Sequence, residues 1–137
     1  MAQEKKTVLH EFACGVFPRK LWVVKKPPRG YLEKHFQSIN GEKLQEFSRD
    51  EAMAVTYAEV CYMDTNQYGI LVVLLDGNIK ISDCAHEATH VAMGIYAGIG
   101  EKISTDYQEV MAYLVGYVTD CIYQVARNKT SCKDENK

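Results

Sequence analysis

The stretch "HEATH", His86 to His90, sets two imidazoles four residues apart with a carboxylate directly after the first. On a helix, residues i and i+4 lie on one face, one turn apart. His86 and His90 can therefore both reach one metal ion. Glu87 is turned ~100° around the axis from His86. It stands beside the ion rather than on it, where a carboxylate can act as base on a metal-activated water. With four His and eleven Glu in 137 residues, the pattern arises in ~1% of shuffled chains, so it needs support from elsewhere in the chain. A second His-Glu pair, in "HEFAC" at His10, has Cys14 in place of the second histidine and lies outside any clear helix. It reads as surface or core detail.

A catalytic Zn2+ takes three protein ligands and keeps one position for water. No histidine follows His90, so the third donor is sought among Glu101, Asp106, Glu109 and Asp120. Glu101 follows a glycine turn. Asp106 suits a first-turn charge facing the helix dipole. Asp120 is three turns beyond Glu109. Glu109 stands out by its neighbours: Ala112 and Gly116 share its face, while Gly94 and Ala97 share the face of His86 and His90. Small residues on both faces would let two helices approach closely and bring Glu109 to the ion. A glutamate buried without a partner is costly, and a cation is one way to satisfy it; half-exposure on a helix surface is the other reading. Tyr113, one turn past Glu109, either hydrogen-bonds a ligand or substrate oxyanion or is an ordinary core or surface tyrosine. Asp83, one turn before His86, either orients that ring from behind or caps the helix.

The motif helix is expected to start near Ser82 or Asp83, both good caps, to run to about Ala97 and to stop at Gly98 and Gly100. A second long helix is expected after Thr105, with Thr105 and Gln108 as a capping box. It carries Val110, Leu114, Val118, Cys121, Ile122 and Val125 to about Arg127. Upstream, "FPRKLWVVKK" reads as a strand over Leu21 to Val24, closed by Pro27 and Pro28. "GYLEKHFQSI" places Tyr31, Leu32, His35, Phe36 and Ile39 at helical spacing, which predicts a short helix. Residues 40–53 leave room for a helical turn near Leu44 to Phe47. Val55 to Met63 predicts a strand, "DTNQ" a turn, and "YGILVVLLDG" a strand buried on both faces. The fold class is α+β: a small sheet of about three or more strands packed on two long C-terminal helices plus one shorter helix. One domain is expected over residues 1–128, followed by a polar tail at 129–137.

Composition bounds the function. Hydrophobic residues make up 47% and charged residues 25%, with net charge −2, the balance of a soluble globular protein. Nucleic-acid binding would want a Lys/Arg excess that this chain lacks. The N-terminus has no apolar leader run, and the longest apolar run, Ile70 to Leu75, is too short to span a bilayer. The expectation is a soluble cytoplasmic protein without membrane contact. The five cysteines, Cys14, Cys61, Cys84, Cys121 and Cys132, form no C-x-x-C pair, so buried free thiols are expected.

His86-Glu87-Ala88-Thr89-His90, followed by Glu109 with eighteen residues between, resembles the ligand set of the zincin superfamily, in its thermolysin-like (gluzincin) form. The likeness is closer to short, single-domain zincin-like proteins of tailed phages and prophages. Those also pair a "PR-x-LW-V" strand with an "E-x-x-A-Y-x-x-G" helix; here these read "FPRKLWVV" from Phe17 and "EVMAYLVG" from Glu109. The likeness covers most of residues 8–126. It implies a small antiparallel or mixed sheet with the motif helix beneath it, Zn2+ held by His86, His90 and Glu109, and Glu87 as general base. It further implies a metallopeptidase with a peptide or protein substrate, acting in the host cytoplasm if phage encoded. An edge strand would hold the extended peptide by strand addition. The chain departs from larger gluzincins in showing no second domain and no histidine or arginine assignable as oxyanion stabiliser. A binding or regulatory protein that keeps the metal without useful catalysis therefore stands as the alternative, and a metal-free helix pair with coincidental histidines as a third.

Overall fold

Two apolar runs, one ending at Val24 and one at Leu74, become neighbouring strands at the centre of a five-stranded sheet. The computed structural model describes residues 6–128. Along them run β1 (Leu9–Cys14), β2 (Phe17–Lys25), α1 (Tyr31–His35), β3 (Phe36–Ser38), β4 (Ala54–Tyr62), β5 (Gln67–Leu74), α2 (Ile81–Gly98) and α3 (Glu109–Arg127). The sheet order is β1-β2-β5-β4-β3. β2 and β5 are parallel and the other neighbours antiparallel. The fold is thus α+β, with the two long helices at the C-terminal end. The tail expected at 129–137, with Cys132, lies outside the described residues.

Strands covered on both faces read as continuous apolar runs rather than alternating ones. Leu21, Val23, Ile70, Val72 and Leu74 share one cluster with α2 and α3. Trp22, Val24, Leu71 and Val73 share the opposite one with Leu32, Phe36, Leu44 and Val60. Each fully buried Leu, Val or Ile contributes roughly 1.5–3 kcal/mol relative to exposure, so the central pair anchors both layers. Gly69 of β5 lies opposite Lys20 of β2, where there is no room for a side chain. A Cβ there would lie 2.2 Å from the Lys20 carbonyl oxygen and 2.8 Å from Trp22 Cζ3.

The N-terminal half differs from expectation in three places. "LHEFAC" is strand β1, turned back onto β2 through Gly15 in the left-handed region at φ 67°. The helix expected through Ile39 ends at His35, and Phe36 opens β3 opposite Tyr62. The reason is tertiary: Phe36 stacks on Tyr62 at 4.9 Å and meets the Trp22 ring edge-on at 5.7 Å. That burial outweighs the helical spacing of its neighbours. No helical turn forms near Leu44 to Phe47; Leu44 instead inserts into the core from irregular backbone.

Four contacts set the helices against the sheet. Thr56 of β4 touches Glu87, and Thr56 is in register with Val72 and hence with Val23. Arg19 Nη2 donates to the Gly98 carbonyl at 3.2 Å, and Tyr117 Oη donates to the carbonyl of Ala13, the partner of Lys20, at 2.6 Å. Lys25 Nζ donates to the Ala126 carbonyl at 3.3 Å. α2 therefore runs opposite to β2 and α3 runs along it, so the helices are antiparallel.

Candidate metal centre on α2

α2 forms where "HEATH" lies because its first turn is closed and its interior is rich in Ala. Asp83 Oδ2, three residues into the helix, accepts the backbone N–H of the N-cap Lys80 at 3.0 Å, while the Lys80 ammonium, a donor only, gives no return bond. The helix thus opens at Ile81, ahead of the expected caps Ser82 and Asp83; Asp83 lies inside the first turn and ties its carboxylate to the N-cap backbone instead. At the other end Gly100 adopts φ 75°, and the Gly100 and Glu101 N–H groups bond back to Ala97 and Tyr96. Glycine reaches that conformation without a Cβ clash, which is why the helix stops where the two glycines predict.

Cys84, Ala88, Val91, Ala92 and Ile95 bury one face of α2 against the sheet and α3. His86 and His90 point the other way and are exposed, with Met93 and Ala97 continuing their face. Their Nε2 atoms are 3.3 Å apart. Two imidazoles bound to one tetrahedral zinc at ~2.0–2.1 Å each would have nitrogens ~3.3–3.4 Å apart. The pair therefore already has the separation a zinc ion requires. Without an ion, one ring must donate its N–H to the other.

Glu87 is 7% exposed and is the only buried charged residue among those described. Thr56 Oγ1 donates to its Oε1 at 2.6 Å. No buried side-chain nitrogen or oxygen among the described residues lacks a partner, so the second carboxylate oxygen is not a sealed orphan. Cys84, one turn away and fully buried, offers no thiolate: burial first, then the Asp83 carboxylate, push its thiol up. Thr56 was invisible to sequence reasoning. It comes from a strand 31 residues upstream, and no local signal marks it.

Glu109 does not join the pair. Among the described residues no group of three or more His, Cys, Asp or Glu could hold a metal ion. The contacts above explain the separation. Gly98 and Tyr117 sit at the same level of β2. His90 lies eight residues before Gly98, and Glu109 eight residues before Tyr117, about 12 Å of helix in opposite directions. The small residues expected to draw the helices together have other surroundings. A Cβ on Gly94 would meet Ala58 of β4 at 3.2 Å, and one on Gly116 would meet nothing within 4 Å. The capping box expected at Thr105 is absent. Gln108 Nε2 donates to the Thr105 carbonyl at 2.8 Å, and the helix opens only at Glu109. Tyr113, at 77% exposure, lies on the same outward side of α3 as Glu109.

Beside Glu87 runs a strand edge. β3 pairs only with Val60, Cys61 and Tyr62, so among the described residues no strand covers the outer side of Ala54 to Ala58. The ladder to β5 slips between Tyr57 and Val60, where Glu59 takes φ 58°. Such a bulge bends a strand and ends regular pairing. Among the described residues no helix is long and apolar enough to cross a membrane. Comparison with protein-family models, curated proteins and solved structures returns no match.

Proposed function

We propose that this chain is a zinc-dependent hydrolase, a metallopeptidase acting on extended peptide in a cytoplasm. The single observation that carries the reading is the 3.3 Å separation of His86 Nε2 and His90 Nε2, the bite of a tetrahedral zinc, one residue from an inward-held glutamate. Bound there, zinc would supply Lewis-acid polarisation of a water and of the scissile carbonyl. Glu87 would be the base toward such a water and the proton donor to the leaving amine, a role that asks its carboxylate, now on Thr56, to turn toward the histidine face. Thr56 holds that carboxylate in one orientation. The open outer edge of β4 offers main-chain hydrogen bonds to an extended peptide beside the same residues. Zincin kinship and a phage origin, with Glu109 as third ligand, remain part of the proposal. The ligand role asks α3 to approach α2 in a different register when metal is bound.

The test pairs metal with chemistry. Protein purified without chelator should carry zinc and cleave an unstructured protein substrate. Glu87→Gln should keep the zinc and lose roughly 10²–10⁴-fold in rate. Full activity in that variant would sink the role of Glu87.

A second reading is a binding or regulatory protein that keeps the metal without useful catalysis. It is favoured by one observation, the absence of a third donor beside the histidines among the described residues. It expects stoichiometric partner capture that survives Glu87→Gln.

A further inference from the structure

α2 carries only two charged residues along its length, Asp83 and Glu87. Asp83 is tied to the backbone at the cap, and Glu87 is buried. The outward face, Ser82, His86, His90, Met93 and Ala97, is exposed yet uncharged. A solvent-facing helical stripe ordinarily carries charge. A neutral one lets another protein surface cover it without stripping water from an ion. At its centre stand two nitrogens at zinc spacing, and among the described residues no third donor joins them. A closed zinc site takes four donors. Two copies of this face supply four.

We infer that zinc joins two copies of this chain through α2, with His86 and His90 of one copy and the same pair of the other sharing one ion. The contact is isologous, the same patch meeting itself about a twofold axis, and it sets no like charges together. α3 offers no such face, since Glu109 and Asp120 lie on its exposed side. The inference rests on the zinc reading above and adds regulation to it. An ion shared by four imidazoles keeps no position for water, so the paired form is latent and activity per chain falls as protein concentration rises.

The test uses the full chain, stripped with EDTA and then titrated with zinc chloride. Mass is followed by sedimentation equilibrium and bound zinc by elemental analysis. The expected result is a monomer in EDTA and a doubled mass in zinc, with one zinc for every two chains. His86→Ala and His90→Ala should each abolish the doubling while leaving the circular dichroism spectrum unchanged. Met93→Lys, which sets a charge one turn from His90 at the crossing point of both copies, should weaken pairing at least tenfold, an effect of about the size like-charge contacts produce, while zinc is still bound. A monomer holding one zinc per chain overturns the pairing and leaves the zinc reading intact. A dimer indifferent to zinc and EDTA also overturns it. A chain that binds no zinc overturns both.

Discussion

Thr56 and Glu87, 31 residues apart in sequence, meet between β4 and α2 through a 2.6 Å hydrogen bond from the threonine hydroxyl to the carboxylate. This contact couples the orientation of the proposed base to the strand that borders it. Thr56→Val keeps the shape and removes the donor. The variant should lose about 1.5–3 kcal/mol, the usual worth of a hydrogen bond to a charged group, measured by urea unfolding. Thr56→Ser should retain most of it. Unchanged unfolding in Thr56→Val would mean that Glu87 finds equal solvation elsewhere.

Glu109→Gln separates two forms of the metal site. With α3 in the register described, Glu109 is exposed and apart from the histidines. Zinc affinity measured by competition with a chromophoric chelator should then change less than about twofold. A loss of a hundredfold, the scale reported for removing a strong ligand or its support, would mean that zinc draws α3 into the register that makes Glu109 the third donor. Glu87→Gln, measured alongside, should leave affinity unchanged.

Two glycine substitutions should move stability in opposite directions. Gly69→Ala forces a Cβ to within 2.2 Å of the Lys20 carbonyl oxygen, which belongs to the backbone of the central parallel pair. Neither strand can yield without disturbing the core, so a loss of about 3 kcal/mol or more is expected in denaturant unfolding. Gly116→Ala adds its methyl where nothing lies within 4 Å, in the middle of α3. It should gain about 0.5–1 kcal/mol from helix propensity.

Cys14 makes stability fall in alkaline solution. Burial, with a smaller effect from Cys121, pushes its thiol from 9.0 up to about 11. Below about pH 9 the thiol is protonated in both folded and unfolded chains, and the full stability is present. As pH rises from about 9 to about 11 only the unfolded chain loses the proton, which favours unfolding by up to about 2 kcal/mol. Tyr31, Tyr57 and Tyr117, each pushed up to about 12, add the same sign at higher pH. Burial also pushes the Cys84 and Cys121 thiols up from 9.0, so Cys14→Ala should reduce, without abolishing, the fall in stability between about pH 9 and about pH 11 and leave the tyrosine-driven part above it.

The two long helices, the β4–β5 hairpin and the central strands were legible in the linear chain. Their signals are local: Gly98 and Gly100 stop α2, and Ile70 to Leu74 is apolar throughout because β5 is covered on both faces. The i, i+4 spacing alone was enough to put His86 and His90 on one side of a helix, and the rotation between neighbours was enough to turn Glu87 away from them. What lay beyond the sequence depends on pieces that meet only after folding. Phe36 left its expected helix because Trp22 and Tyr62 offered it a ring cluster. Thr56 reached Glu87 because β4 packs under α2. The separation of Glu109 from the histidines follows from how far α3 slides along β2, set by Tyr117 on Ala13 and Lys25 on Ala126. Helical periodicity fixes which residues share a face, but the sliding of one helix along its neighbour is decided by packing, and no spacing within a single helix encodes it.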